Sequence, residues 1–397
     1  MQVTPRNELE NRLVKVQAKL RRGGMDGALL LQKADLFYLS GTVQNGVLFV
    51  PADGEPVFAV RRSLRRARTE SAWQEIVPLG SMKELPDLLL SRGFGRFEAL
   101  GLEMDVLPVA LYQRLADAFA GVAFKDATPI LREVRMVKSA YEVERIENAA
   151  EQLRVVFADI PAMMKEGCER EIDLAARIES ALRRRRHQGL IRTRRFGSEM
   201  YFGVVSAAAS ASFPTDFDGP DGAEGLYAAV PQTAGERLLR RGEPIMIDLC
   251  GGYGGYIADK TRIFCPGGLR DEEMLRAHHF ALQIQAEIQT RMRPGAHTGR
   301  IYQAVEEIVR ESPFAANFMG YGDNRSRFVG HGVGLELDEL PVLTTRSEVK
   351  LKEGMVVAVE PKFFFGDRGG VGIENTWVIT QDGCRNLTAD DDGIVAV

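Results

Sequence analysis

The strongest constraint in this sequence is a pair of apolar runs that each carry a lone acid. The run Ile245 to Cys250 reads as a strand interrupted by Asp248. The glycines of Gly251 to Gly255 supply a turn, and Tyr256 to Phe264 reads as a second strand carrying Asp259. A hairpin of this kind folds Asp259 back beside Asp248 on one sheet face. Two carboxylates in an apolar sheet repel each other and lose hydration, so they require a cation or a shared proton.

The same device recurs near the C-terminus. Val356 to Val359 is an apolar strand running into Glu360-Pro361, and Val371 to Glu374 returns after the glycines of Gly366 to Gly370. Two independent hairpins, each bearing two acids, are poorly explained by chance. Between them lies Gly330-His331-Gly332-Val333-Gly334, where glycines permit close backbone approach and leave the imidazole open. Four carboxylates and one imidazole suit hard or borderline divalent ions such as Mn²⁺, Fe²⁺, Co²⁺ or Zn²⁺. So much negative charge calls for two ions, and a water shared by two ions becomes a nucleophile near neutral pH. Asp248, Asp259, His331, Glu360 and Glu374 are therefore the expected ligands.

A chain of 397 residues is too long for one core and suits two domains. Alternating helix and strand signals fill the first part. Leu9 to Leu20 has helical spacing, and Asp53-Gly54 marks a hairpin between Val47 to Val50 and Pro56 to Val60. Ser63 to Ala72 and Met82 to Arg92 read as helices, and Phe97 to Glu103 as a strand. No phosphate-binding glycine loop and no catalytic cluster stands out there. Ser139 with Glu142 forms a capping-box signal that opens the second part. Helices are expected at about 171–186, 271–291 and 298–311, with a strand-rich stretch from Tyr201 onward. The expected domains are 1–135 and 136–397.

The net charge of −4 gives no reason to expect nucleic acid or an acidic membrane as partner. Arg183 to Arg186 reads as a solvated helix face. Cys168, Cys250, Cys265 and Cys384 form no CxxC pair, so buried reduced thiols are expected. The N-terminus reads as a charged amphipathic helix without a signal-peptide core. No apolar run approaches the length of a membrane span. A cytoplasmic enzyme is the expectation. His187, His278, His279 and His297 read as structural.

The run D-x(10)-D-x-T-R, followed by G-H-G-x-G-L, E-P and I-E, resembles the pita-bread metallopeptidases: prolidase, Xaa-Pro aminopeptidase, methionine aminopeptidase and the related creatinase. The stretch from Leu131 to Ala150 also resembles the start of their catalytic domain, and the N-terminal part resembles the prolidase/creatinase N-terminal domain. The resemblance implies a fold of α/β plus α+β class, with that N-terminal domain followed by a pita-bread catalytic domain. It implies two divalent ions: Asp248 on one, Asp259 and Glu374 bridging, His331 and Glu360 on the other. Glu360 is then also a proton shuttle. The implied activity is hydrolysis of short Xaa-Pro peptides by a metal-bridging hydroxide, in a homodimer.

Three positions depart from the peptidase pattern. Thr215 stands where a histidine is usual, Asp338 precedes Glu339 where a second histidine is usual, and Gly372 replaces an arginine before I-E. Thr215 and Asp338 are therefore expected at the substrate. Losing two histidine donors could remove a few kcal/mol of transition-state stabilisation. This keeps open a non-peptidase hydrolase or lyase on the same metal cage, as in creatinase-like C–N cleavage, and a non-catalytic binding module.

Overall fold

Short apolar runs in the N-terminal part pair into one mixed sheet. The computed structural model describes residues 2–397, and the chain divides into two units, the first ending at Arg135 and the second running Met136–Val397. The first unit contains strands β1 (Gly27–Leu30), β2 (Gly46–Pro51), β3 (Val57–Val60), β4 (Ile76–Pro78), β5 (Ala99–Leu102) and β6 (Ala123–Asp126), ordered β4-β3-β2-β1-β5-β6. β2 is antiparallel to both neighbours, while β3–β4, β1–β5 and β5–β6 are parallel. Every residue of β1, β3 and β5 is buried, the pattern of strands covered on both faces. The helix Arg6–Arg22 buries Leu9, Leu13, Val16 and Leu20, three to four residues apart.

In the second unit, Ser139 opens the helix Ala140–Lys165. Its hydroxyl accepts from the Glu142 amide at 3.3 Å, and the Glu142 carboxylate accepts from the Ser139 amide at 3.0 Å. Ile146, Ala149, Leu153, Val156, Phe157 and Ile160 form the buried stripe of this helix, and Phe157 stacks on Phe264 with ring centroids 6.3 Å apart.

Strands β7 (Gly203–Ala207), β8 (Ile245–Tyr253), β9 (Tyr256–Cys265), β10 (Gly320–Tyr321), β11 (Asn324–Arg325), β12 (Gly330–Gly332), β13 (Glu339–Val342), β14 (Val356–Val359), β15 (Lys362–Phe364), β16 (Gly370–Gly372), β17 (Asn375–Ile379), β18 (Cys384–Asn386) and β19 (Val395–Ala396) follow. They form two main sheets, β19-β9-β8-β7 and β13-β12-β14-β17-β18, and two small hairpins, β10-β11 and β15-β16. The helix Ala140–Lys165 lies directly on the β8–β9 hairpin. A Cβ at Gly251 would meet the Ala149 carbonyl at 2.1 Å, so only glycine admits this approach. The helices Glu272–Arg291 and Thr298–Arg310 share a core with Val357, Val359, Phe363, Val371 and Trp377.

One stretch differs from the sequence expectation. From Phe213 to Pro244 the described chain contains isolated bridges but no strand. Pro214, Pro220, Pro231 and Pro244 each remove a backbone donor there, which disfavours pairing at those positions. Among the described residues, no helix is long and apolar enough to cross a membrane. Arg183 to Arg186 are exposed, as a solvated helix end requires.

Removing the cap tests the start of the second unit. Ser139→Ala should destabilise it by about 1 kcal/mol, seen as a lower thermal midpoint by circular dichroism. An unchanged midpoint would show that packing alone holds the helix start.

Candidate metal centre

The register of β8 against β9 sets the first two acids. Asp248 pairs with Thr261 and Cys250 pairs with Asp259, so the two aspartates lie diagonally rather than opposite each other. An offset of two residues keeps both on one face, because side chains alternate with period 2. The second acidic pair is set by β14 and β17. Their last rung joins Val359 to Asn375, so Glu360 and Glu374 flank it on neighbouring positions. A bridge between Thr261 and Glu374 joins this sheet to the first. Both hairpins therefore deliver their acids to one place.

The residues after Asp259 fix Glu374. Thr261 donates its hydroxyl to Glu374 Oε2 at 2.9 Å. Arg262 donates to the carbonyls of Thr261 and Glu374 at 2.9 and 3.0 Å, and to Asn375, Asp390 and Asp392 at 2.9, 2.5 and 2.8 Å. The D-x-T-R run thus places a candidate ligand in Asp259 and clamps the opposing strand. His331, on β12, donates from Nδ1 to the Leu337 carbonyl at 2.8 Å. That leaves Nε2 as a lone-pair donor, 3.7 Å from Glu360 Oε1 and 3.8 Å from Glu374 Oε1.

Sequence reasoning missed two charged members of this cluster. Lys362 Nζ lies 2.6 Å from Asp221 Oδ2, 2.8 Å from Asp248 Oδ2, 3.0 Å from Glu360 Oε2 and 3.1 Å from Glu374 Oε2. Its side chain is fully buried. The signal was present: Lys362 is a lone charge in the apolar run Pro361 to Phe365, two residues after Glu360. Asp221 gave no such signal, since Gly219-Pro220-Asp221-Gly222 reads as an ordinary turn.

The donor set fits a cation at one position. Asp259, His331 and Glu374 each offer a ligand atom, and these atoms lie within 4.8 Å of one another. Glu374 Oε1 is buried with no hydrogen-bond partner, an orphaned acceptor beside the open His331 nitrogen. Such a group is costly unless a cation or proton meets it. The residues do not fit a second cation in the same way, because the oxygens of Asp248 and Glu374 that it would bind face the Lys362 ammonium. Burial pushes Asp259, Glu374 and Asp221 well above the usual carboxylate range, with neighbouring acids adding to the shift. Asp248 moves the other way: burial opposes ionisation most strongly, but the Lys362 charge together with hydrogen bonds from Asp221, Lys362 and Thr261 holds the group low. Burial also raises the Cys250 thiol, 3.6 Å from Asp259 Oδ1, so it stays protonated.

A cavity of about 620 Å³ opens onto these groups, a size suited to a small ligand. Thr215 and Asp338 both line it. The Asp338 carboxylate accepts from the backbone amides of Arg194 and Arg195 at 2.7 and 2.9 Å, so it anchors the loop that forms the wall. The Thr215 hydroxyl accepts from the Phe217 amide at 3.3 Å. His187 accepts from the Gly189 amide at Nδ1 and donates from Nε2 to the Cys250 carbonyl; burial lowers its pKa to about 4. His278 bonds the Asp392 carbonyl at 3.0 Å. All four cysteines are free thiols.

Comparison with known families decides the relationship. Residues 144–381 match the family described as "Metallopeptidase family M24", and residues 12–137 match "Creatinase/Prolidase N-terminal domain". The chain belongs to metallopeptidase family M24. An Xaa-Pro dipeptidase of Pyrococcus furiosus is 27% identical over 384 residues, covering 96% of this chain and 98% of that protein. The structure of dipeptidase PepE from Mycobacterium ulcerans superposes with a TM-score of 0.79 at 25% identity, with full coverage of both chains. An Xaa-Pro dipeptidase from Bacillus anthracis shares the fold at a TM-score of 0.81 and 22% identity, over 98% of this chain and all of that one. The M24 family assignment makes the chain a peptidase, and its mixed α/β fold is that of these structures.

The shifted acids predict how metal and pH act together in this M24 member. A carboxyl whose folded pKa is raised contributes stability below its unfolded value and loses it as pH rises. Asp221, Asp259 and Glu374 start from 3.8, 3.8 and 4.5, and Asp248 alone has the opposite sign. Chelator-treated protein should therefore lose thermal stability as pH rises from about 4, relative to protein loaded with Mn²⁺. The gap between the two melting temperatures should widen with pH in differential scanning fluorimetry; a constant gap would refute the assignment. Separately, Thr261→Val should weaken Mn²⁺ binding about 10–100-fold by calorimetry, since it frees the candidate ligand Glu374.

Proposed function

We propose that this protein is a metal-dependent dipeptidase or aminopeptidase of the Xaa-Pro class, acting on short peptides. The observation that carries this reading is the convergence of Asp259, Glu374 and the open His331 Nε2, with Glu374 Oε1 left unpartnered, at the floor of a cavity of peptide size. The Xaa-Pro dipeptidases among its relatives, matched over nearly their whole length, support it.

A divalent ion held by Asp259, His331 and Glu374 would supply Lewis-acid polarisation and acidify water. The remaining work falls to the chain's own side chains. Leu337 fixes the His331 tautomer through Nδ1, so the imidazole ligates and does not carry protons. Glu360 Oε2 is held by Lys362 while Oε1 faces His331. Glu360 Oε1 is then the atom that takes a proton from the attacking water and returns it to the leaving amine. Thr215 offers a hydroxyl to the substrate at the cavity wall, where the usual pattern has a histidine.

A second reading has its own support. Thr215 is a hydrogen-bond donor but not an acid, and Asp338 is occupied with backbone amides. A site with these two changes suits small amides or guanidino compounds that need less oxyanion stabilisation than a peptide. Turnover separates the two.

Purified protein with added Mn²⁺ or Co²⁺ should cleave a panel of Xaa-Pro dipeptides and tripeptides, and chelator should abolish the activity. Glu360→Gln should lower kcat by roughly 10²–10⁴. Absence of turnover on every peptide, with metal demonstrably bound, would reject the peptidase reading; hydrolysis of guanidino compounds instead would establish the second.

A further inference from the structure

We infer that Lys362 is a built-in cation occupying the place of a second metal ion, so that the centre holds one divalent ion, on Asp259, His331 and Glu374. The inference rests on reading the site as a metal centre, but it changes how many ions that centre takes.

The oxygens divide cleanly. Glu360 and Glu374 each turn Oε2 toward the Lys362 ammonium, at 3.0 and 3.1 Å, and Oε1 toward His331 Nε2, at 3.7 and 3.8 Å. Asp248 turns Oδ2 to the ammonium at 2.8 Å and is absent from the Asp259–His331–Glu374 ligand set. An ammonium has three donors, yet four carboxylate oxygens surround this one. That is the coordination of an ion rather than of an ordinary surface lysine. A divalent ion bonds carboxylate oxygen at about 2.0–2.2 Å. One that bound Asp248 Oδ2 and Glu374 Oε2 together would lie in the hollow that Nζ fills. Two cations in one buried hollow exclude each other by contact and by charge.

Two further residues accommodate the lysine. Asp221 is the fourth carboxylate at the ammonium, buried and with Oδ2 2.6 Å from Nζ. Gly372 faces Lys362 across the β15–β16 hairpin. A Cβ at Gly372 would meet Lys362 Cα at 2.6 Å and Cγ at 2.9 Å, and the residue lies at φ +154°. Any larger residue there would collide with the facing backbone, at the Pro361 carbonyl and Lys362 Cα, and then with the Lys362 stem at Cγ.

The test counts ions in the full-length protein. Protein purified without chelator is loaded with Mn²⁺, desalted and analysed by elemental mass spectrometry and low-temperature electron paramagnetic resonance, with Xaa-Pro turnover measured on the same sample. The wild type should hold one Mn²⁺ per chain with an uncoupled spectrum. Lys362→Ala should take up two, with an exchange-coupled spectrum, and Lys362→Ala combined with Asp221→Asn provides a variant without an unpaired buried acid. Two coupled ions in the wild type would overturn the inference whether or not peptides are cleaved, and so would variants that fold but remain at one ion. One ion without peptide cleavage would support it while rejecting the proposed substrate class. A folded wild type that binds no Mn²⁺ would overturn it together with the metal centre.

Discussion

Carboxylates crowded inside a protein repel each other in a medium that screens poorly, and this repulsion organises the second unit. Asp221, Asp248, Asp259, Glu360 and Glu374 come from two hairpins and a loop, yet their oxygens face a common centre. Such a cluster is tolerable only with positive charge at its heart. The chain supplies one such charge itself, in Lys362. The open side, facing His331, has oxygens still to be met. The surrounding structure is built to hold this arrangement. The Thr261–Arg262 pair ties the two sheets together at the point where Glu374 enters, and Gly251 lets a helix press the first hairpin from behind.

Much of this was legible before any coordinates. An acid in an apolar strand is conspicuous because burying it is expensive, so Asp248, Asp259, Glu360 and Glu374 announced themselves, and period-2 alternation placed each pair on one face. The capping signal at Ser139 located the first helix of the second unit for a similar reason, since its partner Glu142 is local in sequence. What escaped was what depends on distant approach. Asp221 sits in a turn with no periodicity, and only the packing of an irregular loop brings it to the centre. Lys362 was visible as a charge among phenylalanines, but its meaning depends on which oxygens surround it. The strand-rich reading from Tyr201 onward holds in β7, β8 and β9, while the Pro- and Gly-rich stretch between Phe213 and Pro244 connects them with isolated bridges alone.

Asp338 shows how a substitution in a motif can change the part a residue plays. At a position where the resembled pattern has a histidine facing the substrate, the carboxylate accepts two backbone amides and secures the loop of Arg194 and Arg195. A histidine could not accept both bonds at once. The cavity wall and the altered position are therefore parts of one local rearrangement, and the neighbouring Glu339 has likewise turned to Lys138 and to the amides of Leu335 and Glu336.

The bridge between Thr261 and Glu374 has a consequence for how this architecture can vary. Slipping β9 by a single rung would turn Asp259 to the helix-covered side and bring Lys260 into the acid cluster, while Glu374 would lose its hydroxyl partner. Strand alignment and ligand identity are therefore the same piece of information. Insertions in this lineage should accumulate in the connecting loops and spare the two ladders, because no change of alignment leaves the inward-facing set intact.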